Sequence, residues 1–167
     1  MGTFTAFLDA AVLYPAPLRD LLLELAVSDL CRAKWSNTVH DEWINALLRS
    51  RDDLTRDRLE RTRHLMNAHV RDALVTDFDQ LIGILQLPDL DDRHVLAAAI
   101  KGRADLIVTA NLKDFPRSKP APWGIEAQHP DEIPNAPVPP FAAAVSGRRK
   151  SGSFTPKEPA EDGRGLP

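Results

Sequence analysis

Apolar and polar positions alternate along the chain in two different periods. Thr3 to Leu8 is a compact run of β-branched, aromatic and aliphatic residues that stops at Asp9, the pattern of a short buried strand. Pro17 suits a first helical turn, and Leu18, Leu21, Leu22 and Leu25 then recur at helical spacing. Lys34-Trp35 marks a second short strand. Ser36 or Asn37 caps a helix that carries Val39, Trp43, Ala46 and Leu47. Leu54 to Val70 reads as a charged helix and Phe78 to Leu85 as another. Asp89 to Asp92 supply cap acids for a helix through Ile100 that Gly102 ends, and Asp105 to Thr109 is a near-continuous apolar strand. Apolar strands separated by helices predict an α/β fold, a mostly parallel sheet covered on both faces.

Proline divides the chain. Pro15, Pro17 and Pro88 are the only three before residue 116, and the other eleven of 14 follow. From Pro134 the sequence becomes Pro-, Ser- and Gly-rich without apolar period, so a folded domain over 1–133 and a disordered low-complexity tail over 134–167 are expected. The whole chain has 167 residues, 43% of them hydrophobic, with a net charge of -3. That is one domain with an ordinary core and no global basic footprint for nucleic acid. The longest uncharged apolar stretches fall far short of a bilayer span. The N-terminus lacks the basic region of a secretory signal, so a cytoplasmic location is expected. The lone cysteine, Cys31, can form neither an internal disulfide nor a Cys-rich zinc site and is expected to fill core space.

Polar groups fall where parallel sheets bind ligands, beyond the carboxyl ends of strands. Asp9 follows the first strand; Asn111 and Asp114 follow the Asp105 to Thr109 strand. Glu42 shares a helix face with Val39, Ala46 and Arg49, and Asp92 precedes the Val95, Leu96, Ala99 stripe, so both acids are expected to face inward. Each has a plainer reading. Asp9 can cap a loop, and acids in a first helical turn stabilise the helix dipole by roughly 0.3–1 kcal/mol. Asp41, Asp89 and Asp91 need no other role. Four acids converging at one sheet edge, however, repel one another unless a cation intervenes, and a hard ion such as Mg²⁺ or Mn²⁺ suits carboxylate oxygens.

Phe7-Leu-Asp-Ala-Ala-Val-Leu-Tyr14, Val39-His-Asp-Glu42, Leu87-Pro-Asp-Leu-Asp-Asp-Arg-His-Val-Leu-Ala-Ala-Ala-Ile100 and Ile107-Val-Thr-Ala-Asn-Leu-Lys-Asp-Phe-Pro116 together resemble PIN-domain ribonucleases, and in particular the VapC-like toxins of bacterial toxin–antitoxin pairs. The likeness runs from about Thr3 to Glu132. It implies a three-layer α/β/α fold and Mg²⁺- or Mn²⁺-dependent endonucleolytic cleavage of RNA, tRNA or mRNA. It further implies a cognate antitoxin as partner and a homodimer. By position, Asp9, Glu42, Asp92 and Asp114 match the family's catalytic, metal-binding acids. Asn111 stands where many relatives carry another aspartate; its amide oxygen can still ligate a metal, with one negative charge fewer. After His129-Pro-Asp-Glu132 the chain departs from relatives that continue into further helices.

Thr109 is a candidate to support a ligand carboxylate through its hydroxyl. Arg49 and Arg51, with Arg56, Arg58, Arg61 and Arg63 beyond them, are candidates for RNA phosphates, against the plainer reading of a solvated face paired with Asp52, Asp53, Asp57 and Glu60. Arg148-Arg149-Lys150 in the tail is open in the same way. His94, next to Asp92, is a candidate to approach the substrate, against the plainer and favoured reading that it bonds a nearby carboxylate, and Trp43 is expected to belong to the core or a dimer interface. His40, His64, His69 and His129 lack metal-ligand spacing. An aspartyl-nucleophile phosphatase is disfavoured because Ala11 stands where its second acid belongs, and no phosphate-binding glycine motif occurs. The competing reading is a PIN-fold module that holds RNA or protein without cutting. Close convergence of the four acids is what separates the two.

Overall fold

The computed structural model describes residues 3–135; the bulk of the expected tail, with Arg148, Arg149 and Lys150, lies outside the described residues. Five strands, β1 (Phe4–Leu8), β2 (Cys31–Ser36), β3 (Leu74–Val75), β4 (Leu106–Val108) and β5 (Glu126–Gln128), form one sheet in the order β3-β2-β1-β4-β5. Every pairing is parallel. Six helices accompany them: α1 (Ala10–Leu13), α2 (Ala16–Val27), α3 (Asn37–Ser50), α4 (Arg56–His69), α5 (Asp79–Ile82) and α6 (Arg93–Lys101). With helices on both faces of a parallel sheet, the molecule is the three-layer α/β/α sandwich that the alternating pattern predicts. No helix among the described residues is long and apolar enough to cross a membrane.

The helices begin where side chains can satisfy their free amides. Ser36 accepts from the Val39 amide at 3.2 Å and Thr55 from the Arg58 amide at 3.3 Å, caps worth about 1 kcal/mol each. Pro17 occupies the first turn of α2, as expected. Along α6, Val95, Leu96 and the three alanines Ala97 to Ala99 are all buried. Methyl-sized side chains let this helix lie close on the sheet. Gly102 ends it in a tight spot, where a Cβ would stand 3.0 Å from Val75 Cγ2.

Several elements depart from their expected bounds. β2 runs six residues rather than two, because Cys31, Ala33 and Trp35 are buried while Arg32 is exposed, an alternation its charged positions disguise. The expected helix over 78–85 contracts to four residues, bounded by Asp77 at a left-handed φ of 61° and by Gly83. β3 and β5, of two and three residues, are too short to show a period. A 3-10 turn over Pro130–Asn135 runs two residues beyond the expected domain boundary.

The core is built on Phe7, Leu8, Trp35, Trp43, Ile44, Met66, Leu96 and Ile107, none more than 2% exposed. Trp43 therefore belongs to the core. It donates from Nε1 to His40 Nδ1 at 3.0 Å, which leaves the neutral His40 to donate from Nε2 to Asn67 Oδ1 at 3.1 Å. Trp35 Nε1 reaches the same Asn67 oxygen at 2.7 Å, so one amide on α4 ties β2 to α3. Arg19 of α2 lies over the Trp43 ring at 4.8 Å and donates to the Leu13 carbonyl at 2.7 Å. Cys31 is buried, and that burial pushes its thiol up to about 12.

Candidate active site

Strand order decides where a ligand can enter. From β1 the chain moves outward through β2 to β3, then returns to the other side of β1 for β4 and β5. The direction reverses between β1 and β4, and at such a switch point the loops leaving the two strands diverge and open a crevice at their carboxyl ends. Asp9 leaves β1 at this edge, and the 3-10 turn Leu112–Asp114 follows β4.

Asp9 is buried and both its oxygens are engaged. Oδ1 accepts from the Ala10 amide at 2.7 Å, capping α1, and Oδ2 accepts from Thr109 Oγ1 at 2.8 Å. The plainer capping role and a place at the sheet edge thus coexist in one residue. Thr109 is fully buried, and its hydroxyl also accepts from the Asn111 amide at 3.1 Å, so it joins Asp9 to the loop after β4. Asp114 in turn donates its amide to the Asn111 carbonyl at 3.0 Å. Asn111 itself is exposed.

Asp92 precedes α6 but does not cap it; Asp89 caps the preceding turn instead, accepting from the Asp91 amide at 2.9 Å. Asp92 Oδ2 is buried with no hydrogen-bond partner. Burial, followed by the charges of Asp9, Asp114, Asp89 and Glu42, raises this carboxyl to about 7. Burial also lifts Asp9, against the two hydrogen bonds that favour its charged form. Burial first, and the surrounding negative charge second, thus disfavour the ionised form of Asp92.

Glu42 reaches the site from α3 with its side chain 42% exposed, so it flanks the apolar stripe rather than facing fully inward. Its Oε2 lies 2.9 Å from His94 Nε2, from the first turn of α6, 52 residues away. Burial alone would depress the His94 imidazole, but the Glu42 hydrogen bond and the charges of Glu42, Asp9 and Asp92 together raise it. A histidine bonded to a carboxylate was expected; that the carboxylate is Glu42 was not visible, because nothing in the local sequence joins α3 to α6.

The arginines lie apart in character. Arg51 is forked onto Asp53, Nε and Nη2 at 2.9 and 2.7 Å. Arg63 bonds Asp41 and Asn37, and Arg56 bonds Asn45. Arg49 is exposed in the last turn of α3.

The divalent cation implied by the resemblance is compatible with this chemistry. Asp9, Glu42, Asp92, Asp114 and Asn111 offer hard oxygen donors, and the buried, unpartnered Asp92 Oδ2 is an atom that a cation would satisfy. Among the described residues, no three His, Cys, Asp or Glu side chains stand as a closed chelating group. Neighbouring charge adds to burial in raising the Asp9 and Asp92 carboxyls, while Glu42 is turned to His94 and Asp9 to Thr109.

A family model described as "PIN domain" matches residues 5–113. Over 42 residues the chain is 58% identical to the Mycobacterium tuberculosis protein named "Putative ribonuclease VapC50". That stretch is 25% of this chain and 25% of the relative, so the chain matches a quarter of that protein's length.

Proposed function

The chain belongs to the PIN-domain family, and from that premise we propose that it is a Mg²⁺- or Mn²⁺-dependent endoribonuclease, the toxin of a toxin–antitoxin pair. The observation that carries the reading is Asp92. A carboxyl with a buried, unpartnered oxygen, raised to about 7 by burial and four neighbouring acids, is a costly arrangement that a cation would relieve. Members of stable folds rarely keep such a group without a use for it.

Asp9, Glu42 and Asp92 would hold the principal ion, with Asp114 and Asn111 serving a second ion or the attacking water. When bound, the cation supplies a Lewis acid that acidifies water and offsets the charge developing on a phosphodiester during in-line attack. The chain's own contribution is positioning. Thr109 and the Ala10 amide fix both oxygens of Asp9, so that this carboxylate does not swing as substrate arrives. The Asn111 amide on Thr109 fixes the start of the loop that carries Asp114. Arg49, exposed on the last turn of α3, is available to an RNA phosphate, whereas Arg51 would first have to leave Asp53.

Under this reading the partners are RNA, an antitoxin protein and a second copy of the chain, and the protein works in the cytoplasm. A second reading is a PIN-fold module that binds RNA or protein without cutting, favoured by the lack of a closed chelating group among the described residues and by an amide at Asn111. Incubation with mixed tRNA and single-stranded RNA in Mn²⁺, beside EDTA and a folded Asp9→Asn variant, separates the two. Cleavage lost in both controls is expected. Its absence from well-folded protein over a broad substrate set would favour the binding module.

A further inference from the structure

The Glu42–His94 contact is long-range, joins α3 to α6, and lies two residues along the chain from Asp92. His94 is the second residue of α6, so the helix fixes its backbone, and its side chain is only 11% exposed. Glu42 is the opposite case. It is a long, half-exposed side chain on α3 whose carboxylate, without a partner, would sample several rotamers in solvent. His94 Nε2 at 2.9 Å from Oε2 holds it in one of them, from the helix whose N-cap position Asp92 occupies.

Resting on the metal-nuclease reading above, we infer that His94 is a positioning residue that presents Glu42 to the cation. A carboxylate has two oxygens; with Oε2 taken by His94, ligation would fall to Oε1. Partners that orient a ligating carboxylate in this way typically carry 10–100-fold in metal affinity when removed. Glutamine can offer an amide N–H from a similar distance along its side chain, whereas leucine fills the space without a donor.

The experiment measures Mn²⁺ binding by the full chain, without RNA, by electron paramagnetic resonance and calorimetry. His94→Leu should weaken binding 10–100-fold, and His94→Gln should recover most of that loss. On a Glu42→Gln background His94→Leu should change Mn²⁺ affinity less than threefold, since its client ligand is already gone. Thermal unfolding in EDTA checks that each variant folds, and the Gln variant keeps the test valid if the Leu variant does not. Wild-type affinity in His94→Leu, a Gln variant as weak as Leu, or a full loss on the Glu42→Gln background would overturn the inference and leave the nuclease reading standing. A wild-type protein that binds no Mn²⁺ would instead overturn both.

Discussion

Replacing Asp92 by asparagine should make the metal-free protein more stable at alkaline pH, although it removes a residue of the proposed site. An aspartate titrates near 3.8 in the unfolded chain and at about 7 here. Because the folded value is the higher, the folded state holds the proton more tightly. No penalty exists below pH 3.8; it accumulates as pH rises, and is complete above about 7. At 1.36 kcal/mol per pH unit the upper bound is about 4 kcal/mol. Asp92 is partly exposed, and water screens much of the field, so about half of that, about 2 kcal/mol, is the expected size. In a domain of this length it corresponds to a rise of roughly 8 °C in unfolding temperature.

The assay is thermal unfolding of wild type and Asp92→Asn in EDTA at pH 4 and pH 8. At pH 4 the two should unfold within about 1–2 °C of each other, and at pH 8 the variant should be the more stable by roughly 8 °C. Millimolar Mn²⁺ at pH 8 should close the gap from the wild-type side by stabilising only the protein with the intact carboxylate. An equal gain at both pH values would mean that the effect is not electrostatic. No gain at pH 8 would refute the argument that burial and the neighbouring acids disfavour the ionised Asp92.

Two further predictions concern neighbours of the site. His40 is fully buried and its imidazole is held down to about 4, first by burial, from the ordinary 6.5, so its contribution to stability is present above pH 6.5 and lost as pH falls toward 4. Its imidazole should be neutral by NMR at pH 5.5, and a titration near 6.5 would contradict the Trp43–His40–Asn67 arrangement. Thr109→Val removes the donor to Asp9 Oδ2 and the acceptor of the Asn111 amide, and should cost about 1–3 kcal/mol in urea unfolding. A loss below about 0.5 kcal/mol would show that water replaces the hydroxyl.

The sequence revealed the fold where burial is one-sided and long. α3 and α6 announced themselves through a cap residue and an apolar stripe, Ser36 with Val39, Trp43 and Leu47, and Val95 with Leu96 and Ala99. The edge strands did not. Leu74-Val75 and Glu126–Gln128 are strands only because β2 and β4 already stand beside them, so their conformation is set by tertiary pairing that no local period records. β2 was half visible for a related reason: Arg32 and Lys34 alternate with Cys31, Ala33 and Trp35, and over so few residues charge conceals alternation.

The candidate site follows the same division between what the chain carries locally and what only the fold joins. Asp9 was legible because a carboxylate directly after an apolar strand sits at the strand's carboxyl end wherever the strand is placed. Glu42 and Asp92 were legible as acids beside apolar stripes, yet their electrostatic state was not. Asp92 is perturbed by burial, by Asp9, 83 positions earlier in the sequence, and by Asp114 from the turn after β4. Asp92 holds the N-cap position of α6 without a side-chain cap bond while Asp89 caps the turn before it, and the three acids Asp89, Asp91 and Asp92 do not by themselves decide which one caps. The His94 contact is further still from local inference, since a histidine two residues after an acid would first be assigned to that acid. The fold instead pairs it with Glu42, while Asp92 Oδ2 has no hydrogen-bond partner. A cation held at Asp92 would satisfy the one carboxylate oxygen of the proposed site that is buried and left unpaired among the described residues.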